Sequence, residues 1–414
     1  MIKTLFSKKW VVVFVLVSLL FFQLIYSFLF PSVGFNDNWQ PVSTYLPKFT
    51  AESTDNLLLG KIYPLISSGY RLNSDISHYL ELARSFSSES FKINVFLERP
   101  LYPFLIFLSS LPVRLFATPS YGIIFGLSIL VNFILISVAV LLFFFLLKGL
   151  FSLKVAWLSS ILLIFSPFVH SFLNQPLAEM LMVFAVIFSV YLLYNYIKKP
   201  STFKLIIFSL VIGVLMLGKM FFAISFFVFL LAIYFKRYKE GIVFLTIHLI
   251  PFLLWYLWIT RVWGLAYYSH AVQEYSMGTW IFAMLGWPWQ EIYRVLLNVF
   301  PDFVAALIYS FLLIPIIFSI IGFSKIPLKS KNIIYFGSVF SVFILGFLIG
   351  FYYLRHVFLL FPIIYPTSIL GIERAANFLG KYQSWYSPLF YAVIMALIIL
   401  LSNVNIYRVF DYNG

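Results

Sequence analysis

Long apolar stretches, separated by short polar or basic segments, follow one another along most of the chain. The first covers residues 10–30, and later ones cover residues 121–147, 155–172, 177–197, 204–218, 221–235, 241–261, 303–323, 333–352, 355–372 and 386–406. Most of them have the length that an α-helix needs to cross the apolar part of a bilayer. The pattern therefore predicts about 11 transmembrane helices in an all-α, polytopic integral membrane protein.

Residues 31–120 form the longest stretch outside this pattern. The basic start MIKTLFSKKW and the long apolar run after it are typical of an uncleaved anchor with a cytoplasmic N-terminus, because a cleavable signal has a shorter apolar region. Residues 31–120 then lie outside. Within them, residues 100–116 are apolar but interrupted by Pro103, Pro112 and Arg114. This segment is therefore expected to lie at the outer interface or to re-enter, rather than to cross.

Composition supports a membrane location. Of the 414 residues, 63% are hydrophobic and only 10% are charged, and the mean hydropathy is +1.00. This excludes a soluble globule, a disordered chain and a coiled coil, and a chain without cysteine has no disulfide framework. One membrane domain is expected over residues 1–414, with an anchor (1–30), an extracytoplasmic loop carrying interfacial helices (31–120), a helix bundle (121–406) and a short tail (407–414).

The net charge of +14 comes largely from loops on one predicted side of the membrane. If residues 100–116 do not cross, thirteen basic residues of the bundle lie in the cytoplasm: Lys148, Lys154, Lys198, Lys199, Lys204, Lys236, Arg237, Lys239, Lys325, Lys329, Lys331, Arg374 and Lys381. Only five lie outside: Lys219, Arg261, Arg294, Arg355 and Arg408. Because short basic loops stay cytoplasmic, the topology in which residues 100–116 do not cross the membrane is favoured. The positive net charge is then explained by membrane orientation and needs no nucleic-acid partner. The larger loops, and with them any chemistry, are expected on the extracytoplasmic face.

Several catalytic signatures are absent from the sequence. It contains no GxxxxGK[ST], GxGxxG, HExxH or GxSxG motif and no cysteine ligand. An outer-face enzyme has no access to cytosolic nucleotides, so a group-transfer enzyme there needs a donor that is already activated and anchored, such as a lipid phosphate. No cofactor is predicted with certainty; the need for a divalent metal stays open, since Asp75, introduced below, has no evident second metal ligand in the sequence.

The outer loop carries the main catalytic candidates. In RLNSDISHYLELARSFSSESFKINVFLERPLYPFLIFL (71–108), apolar residues from Ile76 recur at helical spacing, which predicts an amphipathic helix capped by Ser74 or Asp75. Asp75 would lie at its N-terminus, next to His78 and Tyr79. Each candidate also has a structural interpretation: Asp75 as a helix cap, Arg99 as a headgroup anchor, and Tyr102 as part of the aromatic belt.

Four segments carry a resemblance to a known family. They are the outer loop from SDISHYLELARS to ERPLYPFLIFL, LLIFSPFVHSFLNQPLAEMLMVFAVIFSVYLLY (162–194), LMLGKMFF (215–222) and YYLRHVFLLFPIIY (352–365). In this order the sequence resembles the GT-C glycosyltransferases, which include protein O-mannosyltransferases and lipid A aminoarabinose transferases. The chain departs from many relatives in having Ile76, where they have a second acidic residue after the aspartate.

The resemblance implies a GT-C-like bundle that transfers a sugar from a polyprenyl-phosphate donor to a glycan, lipid or protein acceptor on the outer face. It implies that Asp75 is the catalytic base and that Lys219 or Arg355 faces the lipid phosphate. Physical chemistry adds Arg99 as a third phosphate ligand, since the leaving phosphate gathers negative charge. A single base without a covalent partner implies inversion at the anomeric carbon.

The remaining candidates are acceptor-binding or supporting residues: His78, Tyr79, Tyr102, Glu179 and His356. The helix dipole explains Glu179 as well as acceptor binding does, and Lys219 has snorkelling to the interface as its alternative. Two other functions remain open from the sequence: a transporter or flippase of lipid-linked saccharides, and a polymerase of such saccharides. A transporter typically carries coupled charges at mid-bilayer and two related halves, and neither is evident here.

Overall fold

The computed structural model consists almost entirely of α-helices. It describes residues 9–29, 39–41, 71–73, 75–86, 99–218, 237–262, 264, 288–290, 293, 304, 307–308, 310–324, 326, 335–337, 339–340, 357–381 and 385–403. The fold is that of an all-α, multi-pass membrane protein, as predicted. Six of the described helical segments are long and apolar enough to cross a membrane, and four shorter apolar helices accompany them.

The helices begin at the N-terminal anchor and the outer loop. In chain order they are α1 (Lys9–Leu29), α2 (Asp75–Ser85), α3 (Leu101–Arg114), α4 (Tyr121–Leu150), α5 (Leu153–Ile164), α6 (Pro167–Phe172) and α7 (Glu179–Lys198). Strands β1 (Trp39–Pro41) and β2 (Arg71–Asn73) pair antiparallel ahead of α2, with Trp39 opposite Asn73. The expected span 155–172 is divided into α5 and α6, because Ser166 caps a new helix that begins at Pro167.

Five further helices complete the described bundle. They are α8 (Thr202–Met216), α9 (Tyr238–Leu257, extended by a π-helical turn, Trp258–Val262), α10 (Leu313–Phe323), α11 (Phe361–Leu379, preceded by a 3₁₀ turn, Phe358–Leu360) and α12 (Tyr386–Asn403). The predicted span 355–372 therefore extends further, to Leu379. The predicted span 221–235 lies outside the described residues, as does most of the span 333–352.

Segment 100–116 is less interrupted than the sequence predicts. It forms a continuous helix of 14 residues, α3, with Pro112 inside it. Pro103 causes no break because it lies in the first turn, where a backbone N–H has no partner within the helix. A helix of this length reaches about 21 Å, less than the roughly 30 Å of a bilayer core. Its length therefore agrees with an interfacial or re-entrant position.

Aromatic packing and close helix crossings form the core. Phe168 of α6 stacks on Phe358 with ring centroids 4.1 Å apart, and Phe311 also stacks against Phe358, at 5.6 Å. At Gly322 a Cβ atom would overlap the backbone of α11, so α10 and α11 cross with their backbones in contact. Small residues allow such crossings, which tighten helix packing in membranes, where the hydrophobic effect between helices is weak.

Contacts at the helix ends show which ends lie together. Asn132 of α4 contacts the segment before α7, whereas Gly149 at the end of α4 lies beside the Tyr194 side chain near the end of α7. Helices α4 and α7 therefore run in the same direction. The bundle thus has one end with many Lys and Arg residues, the basic end, and an opposite end with the candidate residues of the outer loop.

Candidate functional site

Helix α2 fixes the position of the first candidates. It begins at Asp75, as its spacing predicts, and buries Ile76, Tyr79 and Leu80. These residues pack against α3 and α4, so the apolar face of α2 is covered by protein. His78 lies on the half-buried side of the helix. The backbone of Asp75 forms the first residue of α2.

Two arginines hold α2 in place. The Arg114 guanidinium donates to the Ser110 hydroxyl at 2.7 Å and to the backbone carbonyl of Ala83, near the end of α2, at 3.3 Å. The Arg84 guanidinium lies 4.7 Å from the centre of the Tyr121 ring. Burial, with a smaller contribution from the charge of Arg84, lowers the pKa of Arg114, which nevertheless remains a cation in the physiological range. These contacts join α2 to α3 and α4.

Tyr79 and Tyr102 form the first part of a buried polar cluster, which we define as Tyr79, Tyr102, Asn132, Gln175 and Glu179. The two tyrosine rings meet edge to face, with centroids 5.4 Å apart. Burial, followed by the nearby Glu179 and Tyr79, raises the pKa of Tyr102, while Asn132 and Ser128 beside its hydroxyl act in the opposite direction. The Tyr102 hydroxyl therefore stays protonated at neutral pH.

Glu179 supplies the carboxylate of the polar cluster. It is the first residue of α7, and only 1% of its surface is exposed. The helix start provides backbone N–H groups and the positive end of the helix dipole, which lower the free-energy penalty of burying a charge. Both interpretations of Glu179 from the sequence, dipole stabilisation and ligand binding, are compatible with this position.

A buried, non-helical segment connects α6 to α7 and leads into Glu179. All of residues 173–178 are buried. The Asn132 amide donates to the backbone carbonyl of Gln175 at 2.5 Å, and the Asn174 amide donates to the backbone carbonyl of Ser27 at 2.9 Å. Irregular backbone within a membrane protein requires such internal partners. The two asparagines therefore fix the segment that positions Glu179.

Arg99 lies close to the polar cluster along the chain. It is half-buried and precedes α3, whose first backbone N–H, that of Leu101, donates to the Leu217 carbonyl at 3.1 Å. Gly218 packs closely on the Leu181 side chain of α7. The start of α3, the start of α7 and the end of α8 thus meet at one end of the bundle.

Three of the predicted site residues fall outside the described residues: Lys219, Arg355 and His356. Tyr79, Tyr102 and Glu179 lie together; His78 lies on α2, and Arg99 comes just before α3. The described part of the chain contains no group of three His, Asp or Glu side chains suited to a metal ion.

Asn132 and Gln175 are members of the cluster that the sequence did not predict. Asn132 carries a signal, because it is an amide inside a 30-residue apolar helix, where polar groups tend to have a structural or functional role. Gln175 carries no such signal in the sequence, since it contributes its backbone carbonyl and not its side chain. Two further histidines pack within the protein: the ring of His170 lies 3.2 Å from the Gln23 amide, and that of His248 lies 3.0 Å from the Phe244 carbonyl.

No family model and no curated protein matches this chain. Two solved structures of an archaeal oligosaccharyltransferase, AglB from Archaeoglobus fulgidus, are similar to it, both at 13% sequence identity. One contains an inhibitory peptide and a dolichol-phosphate; it covers 94% of this chain with a TM-score of 0.46. The other carries a tethered acceptor peptide with an NVT sequon and covers 98%, with a TM-score of 0.44.

The chain spans 55% of the length of each of these two oligosaccharyltransferase chains.

Proposed function

We propose that the chain is a membrane glycosyltransferase that moves a sugar from a polyprenyl-phosphate donor to an acceptor on the extracytoplasmic face. The observation that carries the proposal is the convergence of Tyr79, Tyr102 and Glu179, which are far apart in the sequence. They lie at the end of the bundle away from the basic loops, on and beside α2, which begins at Asp75, and α3, which Arg99 precedes. Membrane lipid and a glycan, lipid or protein acceptor are the other partners.

In the proposed reaction Asp75 acts as general base. Its carboxylate accepts the proton of the acceptor hydroxyl, whose oxygen forms a bond to the anomeric carbon while the bond from that carbon to the phosphate oxygen breaks. The electron pair of the broken bond leaves with the polyprenyl phosphate. Arg99, Lys219 and Arg355 stabilise this negative charge, and a single displacement inverts the anomeric carbon.

The direct test is transfer of a labelled sugar from a polyprenyl-phosphate donor by the purified protein. Asp75→Asn keeps the shape of the side chain but removes the base, so we expect a rate lower by about 10²–10⁴-fold. Glu81→Gln is the matched control, because it removes a carboxylate from the same helix, and its rate should stay near that of the wild type. Equal rates for Asp75→Asn and the wild type would contradict the role of Asp75.

Donor binding is tested separately with Arg99→Ala, Lys219→Ala and Arg355→Ala. Loss of a phosphate ligand should weaken the affinity for the donor more than it changes the acceptor concentration that gives half the maximal rate.

A chelator added to the wild type tests whether the reaction needs a divalent metal. Movement of intact labelled donor across a bilayer without sugar transfer would instead favour the flippase alternative.

A further inference from the structure

An open groove lies on the outside of the bundle between α1, α5 and α12. Its volume is about 1030 Å³. The lining is mainly apolar and includes Val15, Trp157, Ile161, Tyr391 and Met395. Both α1 and the α5–α6 pair are long and apolar enough to cross a membrane. The groove is therefore expected to face the acyl chains of a bilayer.

One end of the groove is cationic. Lys154, in the first turn of α5, has its ammonium 3.6 Å from the centre of the Tyr391 ring and 3.8 Å from the Glu373 carboxylate. Its side chain is 49% exposed, so it remains accessible. Lys148 at the end of α4 and Arg374 beside Glu373 are also at this end of the bundle. The cations here outnumber the neighbouring carboxylate.

The groove extends from this charged end towards the middle of the membrane. Leu153 and Lys154 line it at the start of α5, and Ile161 lines it two turns further along, a distance of about 10–12 Å. An apolar channel of this kind beside an interfacial cation is complementary to a phospholipid with its acyl chain alongside the helices and its phosphate at the surface. Basic pockets between transmembrane helices bind anionic headgroups in this way.

We propose that this groove binds one anionic phospholipid, with an acyl chain along α5 and α12 and its phosphate paired with Lys154. The site is at the opposite end of the bundle from the polar cluster. It does not depend on the proposed transferase activity, and its test uses no enzymatic readout.

The test measures binding of dioleoyl phosphatidylglycerol and dioleoyl phosphatidylcholine to the purified full chain in detergent, by native mass spectrometry. The wild type should bind the anionic lipid about five-fold more tightly, since one interfacial lysine contributes about 1 kcal/mol towards an anionic lipid. Lys154→Gln should bring the two lipids to the same affinity. Lys239→Gln, which removes a cation at the start of α9, should retain the preference.

A second pair of variants tests the groove itself. Ala392→Phe places a ring in the lining and should weaken binding of both lipids, whatever the state of Lys154. Val393→Phe is the matched control: Val393 adjoins Ala392 on α12, is 48% exposed and does not line the groove, so lipid binding should be unchanged. Equal affinity of the wild type for the two lipids, or unchanged binding in Ala392→Phe, would overturn the proposal.

Discussion

The two ends of the bundle hold their polar groups in opposite ways. At the basic end, Arg237 and Glu240 form an ion pair at 3.2 Å with both side chains about two-fifths exposed, and the Tyr196 hydroxyl donates to the same carboxylate. At the other end, Glu179 and Tyr102 are almost completely buried. Water can solvate the first set of groups, whereas the second set depends on partners within the protein. The same residue types therefore have a structural role at one end and a candidate chemical role at the other.

The strongest test of this comparison replaces two glutamates by glutamine, one in each of two variants. Both glutamates lie in the first turn of a helix. Glu179→Gln removes the buried charge beside Tyr102, and we expect sugar transfer to fall by about 10–100-fold, as for loss of a hydrogen bond to a charged group. Glu240→Gln at the basic end should leave the rate within about two-fold. The initial rate of sugar transfer with saturating donor is measured for both variants. Similar rates for the two variants would remove the functional distinction between the ends.

A second test compares two asparagines. Asn132→Leu leaves the buried carbonyl of Gln175 without its donor, so the free energy of unfolding should fall by about 1–3 kcal/mol. Asn195→Leu, in the half-exposed last turns of α7, should change it by less than about 0.5 kcal/mol. Denaturant titration in detergent micelles gives both values. An equally small effect of Asn132→Leu would show that segment 173–178 is held by other contacts.

Two tyrosine hydroxyls provide a smaller contrast. Tyr196→Phe removes the hydrogen bond to Glu240 and should lower the free energy of unfolding by about 0.5–1.5 kcal/mol, with no effect on sugar transfer. Tyr102→Phe should reduce transfer at similar stability, because its hydroxyl lies in the polar cluster. Unfolding and transfer are measured on the same preparations, and a transfer defect in Tyr196→Phe would argue against the assignment of roles.

The smallest effect is expected at the ion pair of the basic end. Arg237→Gln removes one partner of an exposed pair at i, i+3, which contributes about 0.3–0.5 kcal/mol and less at high salt. The difference between unfolding titrations at low and high ionic strength should therefore be smaller for the variant than for the wild type. A loss well above 1 kcal/mol would mean that this end is less solvated than its exposure indicates.

The sequence predicted most helices of this fold because their signal is local. Apolar length alone identified α1, α4 and α7, and the spacing of Ile76, Tyr79 and Leu80 identified the buried face of α2. Positions of helix ends were harder to predict. Ser166 and Pro167 divide one apolar stretch into α5 and α6. Hydrophobicity does not mark this break, since Phe and Val continue beyond it, whereas the Ser-Pro pair is itself a helix-start signal.

The candidate site was only partly predictable, since it depends on contacts between distant segments. The sequence proposed Tyr79, Tyr102 and Glu179 one by one, mainly from helix starts and from the GT-C resemblance. Their proximity follows from the packing of α2, α3 and α7, to which no local pattern points. Asn132 was missed because its role is to donate to a backbone carbonyl more than forty residues away.

Segment 173–178 also has a consequence for the order in which the protein assembles. Its partners, Ser27 on α1 and Asn132 on α4, precede it in the chain and are synthesised first. When α7 enters the membrane, the groups that pair with the segment before it are already present. Removal of α1 would take away the Ser27 carbonyl that accepts from the Asn174 amide, so the first helix supplies an internal partner for a segment that follows it by more than 140 residues.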